Sequence, residues 1–236
     1  MVTGANRGIG LEFVRQFATR GDRVFATARD VKRATELQQL AKQHGDGRVK
    51  VIPLDVNAAD SIRAAADAVQ KETDALDLLI NNAGVYAARV TAGGDPAEKL
   101  GDLNFDDALK VIRTNAVAPL ILTQALLPLL KRGADPKVVS ITSGYGSVAD
   151  NNGFPYYYAA SKAALNMFMR SFAGDAAARG IITIVMSPGW VQTDMGGKSA
   201  PTPPEQSVAG MLKVIDGLTD ADNSTFKDWR GKEVSW

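Results

Sequence analysis

Short apolar runs alternate along this chain with longer stretches in which apolar residues recur every three or four positions. Runs such as Val24-Phe25-Ala26 and Ile181-Ile182-Thr183-Ile184-Val185-Met186 show no in-and-out alternation, as expected of strands covered by helices on both faces. Leu11, Val14, Phe17 and Ala18 have the spacing of an amphipathic helix. The pattern predicts strands near residues 1–3, 23–28, 48–54, 76–81, 136–142 and 181–187, and helices near 8–20, 31–44, 58–73, 104–131 and 154–179. That alternation predicts an α/β fold, a doubly wound parallel sheet flanked by helices on both faces. A length of 236 residues with 45% hydrophobic content suits a single domain over residues 1–236, undivided by any repeat, low-complexity tract or linker. Late in the chain, residues 196–204, with Pro201, Pro203 and Pro204, read as a clear non-helical loop. They close an expected substrate loop near 190–204.

In such a sheet, ligands bind beyond the carboxyl ends of the strands, where the strand order reverses. The string Thr3-Gly4-Ala5-Asn6-Arg7-Gly8-Ile9-Gly10 lies between the first strand and the first helix. Glycines there let the backbone approach a pyrophosphate, and the helix N-terminus offers unpaired N–H groups and partial positive charge. A tight turn with positive φ accounts for one glycine but not three. Farther along, Tyr158 stands four residues before Lys162, which places a phenol and an ammonium on one helical face. A neighbouring cation favours phenolate. Lowering the phenol from about 10 to near neutrality would be worth about 4 kcal/mol and give an acid/base usable at physiological pH. Tyr156 and Tyr157 are not in that frame.

Composition narrows the alternatives. A net charge of +1 suggests neither nucleic acid nor an anionic membrane as partner. With no cysteine, disulfides, thiolate nucleophiles and thiolate metal sites are excluded; no metal site is expected, and a reducing cytoplasmic setting fits. His44, the single histidine, ends a predicted helix, where a solvated role outweighs the Ser-His-Asp chemistry that would depend on it. The apolar start stops after two residues, so no secretory signal is read. The longest apolar stretch, 116–130, contains Pro119, Thr123, Gln124 and Pro128 and is shorter than the roughly 18 to 20 residues of a membrane span. It reads as a buried helix. Asn223-Ser224-Thr225 matches a glycosylation acceptor but reads as an ordinary loop.

In order along the chain, the TGANRGIG turn, Asp55 after the third strand, Asn81-Asn82-Ala83-Gly84, Asn115, Ser143, Tyr158 with Lys162, and Pro188-Gly189 resemble the motifs of the short-chain dehydrogenase/reductase family over nearly the whole chain. The tail from Pro188 through Gly197 and the ending from Phe226 to Trp236 resemble its C-factor and sniffer branch. The resemblance implies a Rossmann fold, a nicotinamide dinucleotide and carbonyl reduction. It implies cofactor contacts at Gly4, Asn6, Arg7, Gly8, Ile9, Gly10, Arg29, Asp55, Val56, Asn82, Ala83, Gly84, Tyr158, Lys162, Pro188, Gly189, Val191 and Thr193. Asp55 would meet the adenine. Tyr158 would donate the proton, Ser143 would hydrogen-bond the same oxygen, Lys162 would lower the phenol and hold the nicotinamide ribose, and Asn115 would position a relay water. A homodimer packed through helices 104–131 and 154–179 is also implied.

NADP(H) is expected over NAD(H), although NAD(H) stays possible. NAD-using enzymes place an acidic residue at the end of the second strand, and here that position is Ala28. Arg29 and Arg7 can approach a 2′-phosphate with charge-assisted bonds, while Asp30 is expected to turn away and cap the following helix. Two departures stand out. Met1 and Val2 alone precede the glycine turn, so either the start is truncated or a stub strand suffices at the middle of the sheet. The gap from Ser143 to Tyr158 also exceeds the commonest spacing. Tyr145, Val148, Phe154, Tyr156, Trp190 and Met195 are expected around the mouth, suiting a hydrophobic ketone, aldehyde or quinone. A dinucleotide-binding sensor with little turnover is the rival reading, but has no need of Tyr158. An extended epimerase or dehydratase would need a substrate domain after Pro188.

Overall fold

In the computed structural model, which describes residues 1–45, 47–87, 98–153 and 155–236, strands and helices alternate as expected. The elements are α1 (Gly8–Arg20), β1 (Val24–Ala28), α2 (Thr35–Gln43), β2 (Val49–Pro53), α3 (Ala59–Gln70), β3 (Leu78–Asn81), α4 (Phe105–Ile112), α5 (Ala118–Leu130), β4 (Lys137–Ile141), α6 (Tyr156–Gly174), β5 (Ile182–Ser187), α7 (Pro204–Asp216) and β6 (Thr225–Asp228). Phe154, an expected wall residue, lies outside the described residues.

The pairings β1–β2, β3–β4, β4–β5 and β5–β6 are all parallel. The expected first strand shrinks to Val2, which bridges Ala26 on one side and Ile80 on the other. Its N–H donates to the Phe25 carbonyl at 2.8 Å, and its carbonyl accepts from Thr27 at 3.0 Å. Val2 thus joins the two halves in the order β2, β1, Val2, β3, β4, β5, β6.

Strand side chains divide between two cores, as the period of two requires. Val24, Ala26, Val139, Ile141, Ile184 and Met186 pack with α1, α2 and α7. Phe25, Val138 and Val185 pack with α3, α5 and α6. The expected helix 104–131 is interrupted by a π-helical turn, Arg113–Val117, between α4 and α5. The combined run Phe105–Leu130 is long and apolar enough to cross a membrane by length and composition. Its Leu122, Leu126, Leu129 and Leu130 nevertheless fill the second core, as expected of a buried helix. The expected helix 154–179 ends early, at Gly174.

Two elements were not anticipated, α7 and β6. Past β6, Trp229 wedges between the loop after β5 and α7. A Cβ at Gly189 would lie 2.8 Å from its Nε1, and one at Gly210 would lie 2.5 Å from its Cε3. Asn223 takes a structural part, its Oδ1 accepting from the Thr183 N–H at 2.9 Å. His44 is the C-cap of α2.

Candidate active site

Two turns meet in the crevice beside Val2. Thr3 Oγ1 accepts the main-chain N–H groups of Asn82 and Ala83, each at 2.9 Å, while the Asn82 amide donates to the Thr3 and Gly4 carbonyls at 2.8 and 3.2 Å. Gly4 and Gly8 hold φ of +62° and +54°. A Cβ at Gly10 would stand 2.3 Å from the Gly4 carbonyl oxygen. Positive φ thus accounts for two glycines and close approach for the third. Arg7, at the N-cap of α1, makes no side-chain capping bond, so the first-turn N–H groups bordered by Asn6 and Ile9 suit an anionic phosphate.

The loop after β5 reaches this turn. Val191 is buried and pairs with Thr202, Thr193 Cγ2 closes on Gly8, and the buried Pro188 accepts from Ser207 Oγ at 2.7 Å. Trp190 Nε1 donates to the Gly196 carbonyl at 2.7 Å, and Gly197 N–H to the Thr193 carbonyl at 2.8 Å. Residues 196–203 are non-helical as expected, but Pro204 already opens α7.

Arg7 is placed differently from expectation, since its guanidinium pairs with Asp194 at 2.9 Å. Arg29 is exposed immediately after β1, while Ala28 is buried among α1 and α2 side chains. Asp30 turns toward local backbone, accepting from Lys32 and Arg33 N–H at 3.0 and 3.2 Å. It caps the turn ahead of α2 rather than the helix, whose N-cap is Ala34. Beyond β2, Asp55 and Val56 are half-buried, and the Asp55 carboxylate accepts the Asn57 N–H at 2.9 Å.

Tyr158 and Lys162 lie one turn apart on α6, both buried. The Ser143 hydroxyl accepts the Tyr145 N–H at 3.2 Å and acts on the Tyr158 phenol, favouring its ionised form. The Ser143 to Tyr158 gap does not keep them apart. Tyr86 and Tyr145 meet the Tyr158 ring edge-on, with centroids 5.0 and 6.3 Å away. Lys162 Nζ donates to the Ile141 carbonyl at 2.8 Å and stands 5.7 Å from the Tyr158 ring centroid. Asn115, within the π-helical turn, donates from Nδ2 to Val85 O at 2.8 Å and Ser161 Oγ at 2.9 Å, and accepts Val85 N–H at 2.8 Å. The point where a Gly84 Cβ would stand lies 3.3 Å from Asn115 Oδ1 and 3.7 Å from Lys162 Nζ.

The expected lowering of the phenol is overturned. Burial pushes Tyr158 up to about 12 against the opposing effect of Ser143, and burial pushes Lys162 down to about 8. Desolvation governs both groups, and the Lys162 side chain lies over the Tyr158 ring and bonds the Ile141 carbonyl. Sequence reasoning also passed over Thr3, Ser161 and Tyr86, although each adjoins or falls within a motif it had marked.

Residues 1–204 match the family model of the short chain dehydrogenases. The chain belongs to that family and is an oxidoreductase of the short-chain type. Among solved structures it is similar to the NADPH-bound carbonyl reductase from chicken fatty liver, 40% identical with a TM-score of 0.89 over 100% of this chain and 97% of that one. It is also similar to the carbonyl reductase Sniffer of D. melanogaster, 30% identical with a TM-score of 0.86 over 99% of this chain and 97% of that one. C-signal of Myxococcus xanthus is 45% identical over 165 residues, 70% of this chain and 95% of the relative. These likenesses bear out the expected branch.

Proposed function

We propose that the protein uses NADP(H) to reduce the carbonyl of a small to medium hydrophobic ketone, aldehyde or quinone, or oxidises the matching alcohol. The observation that carries this reading is Tyr158, buried one turn from Lys162 and acted on by Ser143. A bound nicotinamide would supply or accept the hydride. Gly4, Gly8, Gly10 and the uncapped start of α1 suit its pyrophosphate, with Asn82 to Gly84 and Val191 to Thr193 as the walls beside it.

Tyr158, pushed up to about 12 by burial and so protonated near neutral pH, is the proton donor to the carbonyl oxygen. Ser143 donates to the same oxygen where negative charge grows. The space beside Gly84, within reach of both Asn115 Oδ1 and Lys162 Nζ, suits the relay water. Arg29, exposed beside the end of β1, is the cation for a 2′-phosphate, which the NADPH-bound avian relative supports; Arg7 would first leave Asp194.

Tyr145, Val148, Tyr156, Trp190 and Met195 are exposed apolar or aromatic side chains, and with Tyr86 they favour a hydrophobic substrate held by the loop at 190–204. Phe105, Leu109, Val117, Ile121 and Met167 remain exposed on α4, the π-helical turn, α5 and α6, which supports a homodimer formed through these helices. A sensor without turnover would have no use for the assembled Ser143, Tyr158 and Lys162. The direct test is Tyr158→Phe, which keeps the ring and removes the proton. Carbonyl reduction should fall about 10²- to 10⁴-fold while cofactor binding survives; wild-type turnover would sink the mechanism.

A further inference from the structure

Helix α6 carries Tyr158 and Lys162, yet Pro155 at its N-cap makes no side-chain capping bond. The first-turn N–H of Tyr157 donates instead to Glu98 Oε2 at 2.9 Å, from a residue 59 positions earlier. Glu98 is 5% exposed. The same stretch of chain also holds the Tyr157 side chain. Asn104 N–H donates to its phenol oxygen at 2.7 Å, and the phenol donates to the Asn104 carbonyl at 3.1 Å. Asn104 in turn caps α4 by accepting the Asp107 N–H at 2.9 Å. A carboxylate at a helix N-terminus makes a charge-assisted bond and complements the helix dipole.

We propose that Glu98 and Tyr157 form a clamp that holds the first turn of α6 in place, so that Tyr158 stays aligned with Ser143. Glu98 is then a positioning residue for proton transfer, acting through Tyr157. The inference rests on Tyr158 as the acid/base. Tyr158 is the next residue after the clamped N–H, and hydrogen bonds weaken steeply with misalignment. Ser143, Tyr86 and Tyr145 face the phenol, with Lys162 over its ring, and Ser143 is the group that lowers its pKa. A loosened first turn moves the phenol away from Ser143 and raises its kinetic pKa.

The test is the pH profile of kcat for alcohol oxidation, where the phenolate is the base, using intact protein and an alcohol selected by a turnover screen. Glu98→Ala should lower kcat about 10- to 100-fold, leave cofactor Kd unchanged and displace the alkaline rise upward by about half a pH unit or more. Glu98→Gln, whose amide oxygen can accept the same N–H, should restore both the rate and the profile. A profile scaled down equally at every pH would mean less folded protein and overturn the clamp, as would failure of glutamine to restore it. If Glu98→Ala does not fold, Tyr157→Phe decides. An upward displacement supports the clamp and an unchanged profile overturns it. Tyr158→Phe separates the two ideas: wild-type turnover there defeats the acid/base reading, whereas an inactive Tyr158→Phe beside an unchanged Glu98→Ala profile defeats the clamp alone.

Discussion

Replacing Lys162 by methionine should abolish turnover yet leave the protein at least as stable as wild type at pH 7. The ammonium is buried, and its pKa falls from 10.5 to about 8 through desolvation. At 1.36 kcal/mol per unit, the folded state holds that charge at a cost of about 3 kcal/mol relative to the unfolded chain. Methionine keeps a long apolar stem without the charge. It also deprives the Ile141 carbonyl of a donor 2.8 Å away, which costs about 1 to 3 kcal/mol. The net change at pH 7 is therefore between about zero and 2 kcal/mol in favour of the variant.

The pH dependence gives the sharper measurement. Between about pH 8 and 10.5 the unfolded lysine holds more protons than the folded one, so the wild type gains stability as pH rises. From pH 7 to pH 10 that gain is about 2 to 3 kcal/mol, and the methionine variant lacks it. Tyr158, pushed up to about 12, acts in the opposite sense above about pH 10, where the unfolded phenol ionises first. Urea unfolding of both proteins at unit steps from pH 7 to 10 makes the comparison. A difference between them that stays constant with pH would refute the argument from burial.

Gly84→Ala places a methyl at the point within reach of Asn115 Oδ1 and Lys162 Nζ. It should lower kcat at least about tenfold, as steady-state kinetics at saturating cofactor would show. Arg29→Ala should reduce the kcat/KM preference for NADPH over NADH by about ten- to a hundredfold, from a bond to charge worth roughly 1.5 to 3 kcal/mol. An unchanged ratio would remove Arg29 from the 2′-phosphate site. Light scattering at micromolar concentration should return twice the chain mass of 25.1 kDa, and a monomer would reject the dimer.

The sheet was legible because both of its faces are covered: strands such as β5 then become unbroken apolar runs, and the helices between them keep a period near 3.6. The glycine turn and the Tyr158–Lys162 frame were legible because each is local. Helix α7 was missed although Val208, Met211, Leu212 and Ile215 have helical spacing, because Pro201, Pro203 and Pro204 around its start marked the region as loop. Such prolines also begin helices, and Pro204 is the first residue of this one. The Arg7–Asp194 pair joins residues 187 positions apart, beyond any local pattern. The phenol and ammonium shifts were misjudged for a related reason. Spacing on a helix face gives the neighbour, but the desolvation that governs both groups comes from tertiary burial.

Trp229 ties the evolutionary fate of distant positions together. Its indole occupies the room that side chains at Gly189 and Gly210 would need, so neither glycine can drift while the tryptophan stays. A smaller residue at 229 would clear only part of that room, because Gly189 also holds a φ of +78° and the main-chain oxygen of residue 229 would still stand 2.6 Å from a Cβ at Gly210. Drift at 229 alone therefore opens neither position, and the loop after β5 keeps its course through changes in the tail.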